Sequence, residues 1–237
     1  MATVLLIRHG RTTANSAGTL AGWTPGVFLD EVGQEQVATL GARIASVPLS
    51  AVVSSPLERC RQTTTAVLGD RDVPAHHDED VAEVRYGDWT GESLKVLAKQ
   101  PLWKVVQQHP SNATFPGDGG ESLAGMQARA VAAVRRWNTT LGADATYAVV
   151  SHGDVIKAVL ADALGMHLDL FQRIVVDPAS LSVVQYGDTR AFVERTNDSG
   201  GDVSSLLPPK RRRKSSKRDD AAVGGGAGPG PRTSKKR

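Results

Sequence analysis

Along this chain the apolar residues fall into short solid blocks, each followed by a polar turn and then a helical stripe. Residues 4–7 (Val4, Leu5, Leu6, Ile7), 51–53 (Ala51, Val52, Val53) and 147–150 (Tyr147, Ala148, Val149, Val150) have the length of buried strands. Behind the first, Val37, Leu40 and Ile44 mark a helix capped by Asp30, running to about residue 45 and stopped by Pro48. Behind the second, Ser54-Ser55-Pro56 opens a helix to about residue 68, with Pro56 expected at its first position. Residues 69–91 read as loop or short strand. Helical patches follow at 92–100 and 102–108, then a Pro/Gly-rich loop at 109–120. Leu123, Met126, Ala130, Val134, Trp137 and Leu141 recur every three or four residues and predict an amphipathic helix over 121–141. Another helix is expected at 154–164. Segments 180–186 and 190–196 alternate around Gly187-Asp188, a hairpin signal. The order β-α-β-α, an irregular insertion, then α-β-α and a hairpin predicts an α/β fold. Its form is a three-layer α/β/α sandwich with a mostly parallel central sheet. Apolar periodicity ends near Asn197, so a domain over 1–197 and a disordered basic tail over 198–237 are expected.

Charge sharpens that boundary. The net charge of +3 conceals 11 Lys and Arg against two Asp in residues 210–237, which leaves 17 basic and 23 acidic residues in the body. The run Lys210-Arg211-Arg212-Arg213-Lys214 suits nucleic acid, anionic lipid or an acidic partner, unless it is simply a solubilising extension. Cys60 is the only cysteine, so no intrachain disulfide forms. No signal-peptide pattern opens the sequence and no apolar stretch has membrane-spanning length, so a cytoplasmic protein is expected. Association into a homo-oligomer is left open.

The candidate chemistry sits where the strands end. Arg8-His9-Gly10, Ser54-Ser55-Pro56-Leu57-Glu58-Arg59 and Ser151-His152-Gly153 close the three strands, and in a parallel sheet such ends share one edge. Two imidazoles, two guanidinium groups and the N–H groups of following helices fit a doubly charged phosphate. Each residue alone has a plainer account. His152 reads equally as a hydrogen-bonded core residue, Arg59 as an exposed helix arginine and Glu83 as the partner of Arg85. Cys60 beside Arg59 reads as a buried helix cysteine rather than a nucleophile. His76-His77 among Asp78, Glu79 and Asp80 reads as a solvated loop rather than a metal site. Trp23 and Trp89 belong either to the mouth of a pocket or to the core.

Taken as an ordered set, these blocks resemble the histidine phosphatase superfamily, in the phosphoglycerate mutase-like branch. The resemblance covers roughly residues 3–196. It rests on Arg8-His9-Gly10 and Asn15, Ser55-Pro56-Leu57-Glu58-Arg59 with Gln62-Thr63, and Glu83 with Tyr86-Gly87, Trp89 and Gly91. Gly119-Gly120-Glu121-Ser122 and Ser151-His152-Gly153 complete it. It implies a phosphomonoesterase, an acid phosphatase-like hydrolase acting on a small phosphorylated molecule. His9 would become a phosphohistidine, Arg8, Asn15, Arg59 and His152 would hold the phosphoryl oxygens, and Glu83 would serve as general acid and base. No metal and no cofactor are expected. Two alternatives stand beside it: a mutase-type phosphoryl transferase, and a non-catalytic phospholigand-binding domain. Mutases of the family call for extra basic residues after the Tyr-Gly block, whereas Tyr86-Gly87-Asp88-Trp89-Thr90-Gly91-Glu92 is acidic, which tilts the reading toward hydrolysis. Two departures are notable. Arg11 stands where many relatives are acidic, and Ala21 where some phosphatases of the family present glutamine.

Overall fold

A computed structural model describes residues 1–201 together with Ala221, Val223, Gly224, Gly226 and Gly228. The elements follow the order β1 (Ala2–Arg8), α1 (Thr13–Ala17), α2 (Glu31–Arg43), β2 (Ala51–Ser54), α3 (Glu58–Leu68) and β3 (Ala75–His77). Then come α4 (Leu94–Leu97), α5 (Pro101–Gln108), α6 (Leu123–Leu141), β4 (Thr146–Ser151), α7 (Gly153–Ala163), β5 (Leu181–Tyr186) and β6 (Ala191–Asp198). The six strands form one sheet in the order β3-β2-β4-β1-β5-β6. Strands β3, β2, β4 and β1 are parallel, and the hairpin β5–β6 runs antiparallel beside β1.

The solid apolar blocks are explained by helices on both faces of the sheet, which bury every residue of the central strands β1, β2 and β4 except the partly exposed Thr3 and Thr146. Val4 and Leu6 of β1, Val53 of β2 and Val149 of β4 enter a core with α6 and α7. Their neighbours Leu5, Ile7, Val52 and Val150 enter a second core with Val37 and Leu40 of α2 and Val67 of α3. The fold is therefore the three-layer sandwich expected from the block pattern. Helix α6 buries Leu123, Met126, Ala130 and Val134 of the anticipated stripe, while Trp137 and Leu141 pack at its edge.

Some local expectations need correction. Pro56 is not the first residue of its helix. Leu57 is the N-cap and α3 begins at Glu58, two residues later, because Pro56 belongs to the turn leaving β2. Helix α2 is capped by Asp30, whose side chain accepts from Gly33 N–H at 2.8 Å, but it ends at Arg43, well before Pro48. His76 and His77 lie on the exposed edge strand β3 rather than in a loop, and the His76 ring packs on Trp137 at 4.9 Å. Among the described residues no three His, Cys, Asp or Glu side chains gather as a metal site requires. No helix among them is long and apolar enough to cross a membrane. The basic residues Lys210 to Lys214 lie outside the described residues. The described tail residues Ala221, Val223, Gly224, Gly226 and Gly228 pack against the domain, with Val223 only 2% exposed.

Candidate active site

Strand β1 carries Arg8 and His9 to the carboxyl edge of the sheet. There the backbone turns through Gly10, whose missing Cβ would lie 2.7 Å from the Gly33 carbonyl oxygen of α2. Gly33 is fitted to the same contact, because a Cβ there would sit 2.0 Å from the Arg11 carbonyl. Two glycines thus let a helix press directly on the loop behind His9. Strand β2 delivers Ser55 and, through α3, Arg59. Strand β4 delivers His152, the N-cap of α7. Neither α3 nor α7 has a side chain capping its first turn, so both present backbone N–H groups at this edge.

Arg8, His9, Arg59, Glu83 and His152 come together here, and all five are at most 3% exposed. The His9 and His152 rings meet edge to face with centroids 5.2 Å apart. His9 Nδ1 lies 2.7 Å from the Gly10 carbonyl, which can only accept, so the ring proton sits on Nδ1 and Nε2 keeps its lone pair. Burial first, then the Arg59 and Arg8 charges, drive its pKa well below the usual histidine value, so the ring is neutral. His152 is held neutral by the same causes. Its Nδ1 accepts from Arg59 Nη2 at 3.2 Å, which puts its proton on Nε2, 2.8 Å from Ser55 Oγ. Both ring nitrogens are therefore engaged by the protein, and His152 fixes the Arg59 fork.

The two guanidinium groups are the unusual feature. Arg8 Nη1 donates to the Val176 carbonyl at 2.8 Å and Arg59 Nη2 to the Gly22 carbonyl at 2.9 Å. Buried Arg8 Nε and Arg59 Nη1 find no partner among the described residues. Orphaned N–H groups on buried cations are costly, and an anion satisfies them with charge-assisted bonds. Asn15 lines the same cleft. Its Oδ1 is taken by the Thr12 N–H and hydroxyl in a capping box, so its Nδ2 end is the one left for a ligand.

Glu83 faces this cationic group, with Oε2 3.6 Å from His152 Nδ1 and 3.9 Å from Arg59 Nη2. Burial raises its pKa, Asp154 adds to the rise and Arg59 opposes it, leaving a value of about 7. Arg85 is not its partner. That guanidinium covers the Trp23 ring at 4.0 Å and pairs with Glu79 at the surface.

Of the further residues that hold the site, Arg129 and Asp154 gave no signal in the sequence, and Trp23 was legible only as a mouth or core residue. Arg129 of α6 donates to the carbonyls of Asp80, Ala82 and Glu83 at 2.8 to 3.1 Å and is itself clamped by Glu121 at 2.6 Å. Trp23 Nε1 also donates to the Glu83 carbonyl, at 2.7 Å. Buried Asp154 accepts from the Tyr86 hydroxyl at 3.1 Å and pairs with Lys157 at 3.2 Å. Of the ambiguous residues, Trp89 belongs to the core, and Trp23 is a half-buried bracket for the Glu83 segment. Cys60 is fully buried, and burial pushes its thiol to about 12, so it is no nucleophile. Arg11 is spent on Asp30, its Nε 2.8 Å from the carboxylate.

A neutral histidine at the rim of a parallel sheet, two buried guanidinium groups and a carboxyl that titrates near neutrality define a phosphoryl-handling enzyme. Residues 4–199 match the model of the histidine phosphatase superfamily, branch 1, and the chain belongs to that superfamily. It is 27% identical over 204 residues to phosphoserine phosphatase 1 of Hydrogenobacter thermophilus, covering 83% of this chain and 92% of the relative. It is 30% identical over 174 residues to the glucosyl-3-phosphoglycerate phosphatase of Mycolicibacterium vanbaalenii, covering 70% and 76%. The Bacillus stearothermophilus YhfR structure superposes with a TM-score of 0.76 at 27% identity, covering 84% of this chain and 98% of that one.

Proposed function

We propose that the chain hydrolyses phosphate monoesters of small metabolites in two displacements at phosphorus, with His9 as nucleophile and Glu83 as acid and then base. His9 Nε2 gives its lone pair to phosphorus while the bond to the ester oxygen breaks, and the Glu83 proton passes to that leaving oxygen. In the second step Glu83 as carboxylate takes a proton from water. The water oxygen attacks phosphorus, the P–N bond breaks and inorganic phosphate leaves. Arg8, Arg59 and Asn15 hold the equatorial oxygens, where most of the transition-state charge resides. His152 acts with them by fixing Arg59. The observation that carries this reading is the pairing of a neutral buried His9, Nε2 unprotonated, with a Glu83 able to be protonated near neutral pH. A neutral imidazole is nucleophilic enough without a metal-generated hydroxide.

Hydrolysis is favoured over mutase transfer because residues 86–92 are acidic where a second phosphate would need cations. Relatives named as phosphatases support the same choice. The test is direct. Isotopic phosphate from a labelled ester should be trapped as an acid-labile adduct on His9, and His9→Ala should abolish both label and turnover. Turnover that survives the substitution would sink the mechanism. A cytoplasmic setting is part of the proposal and rests on a chain with one cysteine and no disulfide chemistry. The run 210–214 is proposed to bind anionic polymers, to be checked by filter binding over a salt series, where a salt-insensitive signal rejects it.

A further inference from the structure

The chain places part of its own tail in the cleft it uses for phosphate. Arg8 Nη2 donates to the carbonyls of Gly226 at 2.9 Å and Gly224 at 3.4 Å. On the other side, Gly224 N–H donates to Asp154 Oδ2 at 2.8 Å. Further out, Ala221 and the Gln107 amide of α5 exchange two hydrogen bonds of 2.8 Å. Val223, between these anchors, is 2% exposed and joins the core cluster. Val223, Gly224 and Gly226 share the cleft with His9, Arg59 and Glu83, and the space left is about 30 Å³, room for a water or two but not for a phosphorylated metabolite. Glycine is required for this fit. Gly224 has φ +70°, and a Cβ there would meet Leu20 Cδ1 at 2.8 Å; Gly228 has φ +72°, and a Cβ there would meet Pro178 Cδ at 2.9 Å.

We infer that the described tail residues Ala221, Val223, Gly224, Gly226 and Gly228 form an intrachain competitor of substrate, docked with the Gly224 and Gly226 carbonyls on Arg8 where phosphoryl oxygens would bind. The inference rests on the reading of Arg8 as a phosphate ligand. Carbonyl oxygens are neutral acceptors, so a phosphate dianion makes the stronger bond to a guanidinium and displaces the strap. The cost is a lower apparent affinity, reduced by the fraction of molecules whose cleft is open.

Two full-length variants test it: Gly224→Val, which collides with Leu20, and Gln107→Ala, which removes the outer anchor. Inorganic phosphate is titrated calorimetrically and p-nitrophenyl phosphate turnover is measured in parallel. If the strap is docked in about nine molecules of ten, both variants should bind phosphate ~10-fold tighter and show a KM lower by the same factor, with kcat within about twofold. A synthetic peptide spanning residues 218–230 should then inhibit the variants competitively. Should Gly224→Val fail to melt cooperatively, Gln107→Ala and the peptide decide. Phosphate affinity that is measurable but equal to or weaker than wild type in the variants overturns the strap alone. Absence of phosphate binding in every protein overturns the assignment of Arg8 as well.

Discussion

Burial makes Glu83 a usable acid, and the same burial should leave a trace in stability. Its pKa of about 7 in the folded protein exceeds the ordinary 4.5, so the folded state holds the proton that the unfolded chain gives up. Stability from this group is complete below about pH 4.5 and is lost as pH rises through about 7. A shift of this size is worth about 3 kcal/mol. Glu83→Gln should therefore melt higher than wild type at pH 8 and show little difference near pH 4, as scanning calorimetry will read. The same variant should lose ~10²–10⁴-fold in kcat on an alkyl phosphate, whose leaving oxygen needs a proton. On p-nitrophenyl phosphate, whose leaving group needs little help, the loss should be much smaller. A variant whose loss is equal on both esters argues against Glu83 as the acid. Cys60 gives a contrasting case: with its thiol pushed to about 12 and its side chain sealed in the core, the native enzyme should resist alkylating reagents.

The elements that set the site do so through backbone contact and long side chains. Gly33 at the start of α2 touches the loop that follows His9, and Gly33→Ala would force a Cβ against the Arg11 carbonyl. Overpacking of backbone on backbone should cost ~1–3 kcal/mol in denaturant unfolding, and kcat should fall because His9 moves with its loop. The Arg129–Glu121 clamp is the second device. It lies between α6 and the segment 80–83 and satisfies three carbonyls at once. Arg129→Leu removes those donors and leaves Glu121 with only the Arg85 N–H as partner, so a loss of ~2 kcal/mol is expected together with a fall in kcat. The signature of positioning is that the alkaline limb of the pH–rate profile should move, since the Glu83 environment changes. A lower melting temperature with an unmoved limb would make Arg129 purely structural.

At the scale of the molecule, the sheet divides the protein into two cores and brings its chemistry to one edge. Stability and catalysis should therefore separate. Leu6, 1% exposed between β1 and the α6–α7 layer, should cost ~2–5 kcal/mol as Leu6→Ala while the surviving folded enzyme keeps its kcat. His9→Ala should do the reverse: no turnover, with a melting temperature close to wild type. Denaturant titration with parallel assays on both variants checks the pair. If Leu6→Ala also lost its kcat at temperatures where it is folded, core and site would have to be mechanically coupled.

The sequence determined the layers and the chemical vocabulary. Unbroken apolar blocks at 4–7, 51–53 and 147–150 force burial of both strand faces, and the 3.6-residue stripe from Leu123 to Leu141 forces a helix against them. Arg8, His9, Arg59 and His152 were legible because strand ends in a parallel sheet must share an edge. Asn15 and Glu83 came from the family's block order, since neither lies at such an end. Boundaries were less legible: Pro56 satisfies a turn as well as a helix start, and only the packed turn after β2 decides which. Tertiary structure alone decided that both ring nitrogens of His152 are engaged, that Arg11 is consumed by Asp30, and that Arg129, Trp23 and Asp154 hold the acid segment. It alone brought Gly224 and Gly226 onto Arg8, a contact 216 and 218 residues apart in sequence. Period and composition report which residues prefer burial or charge, because those preferences are local. Which buried donor meets which acceptor is a property of three-dimensional closure, and no window along the chain contains it.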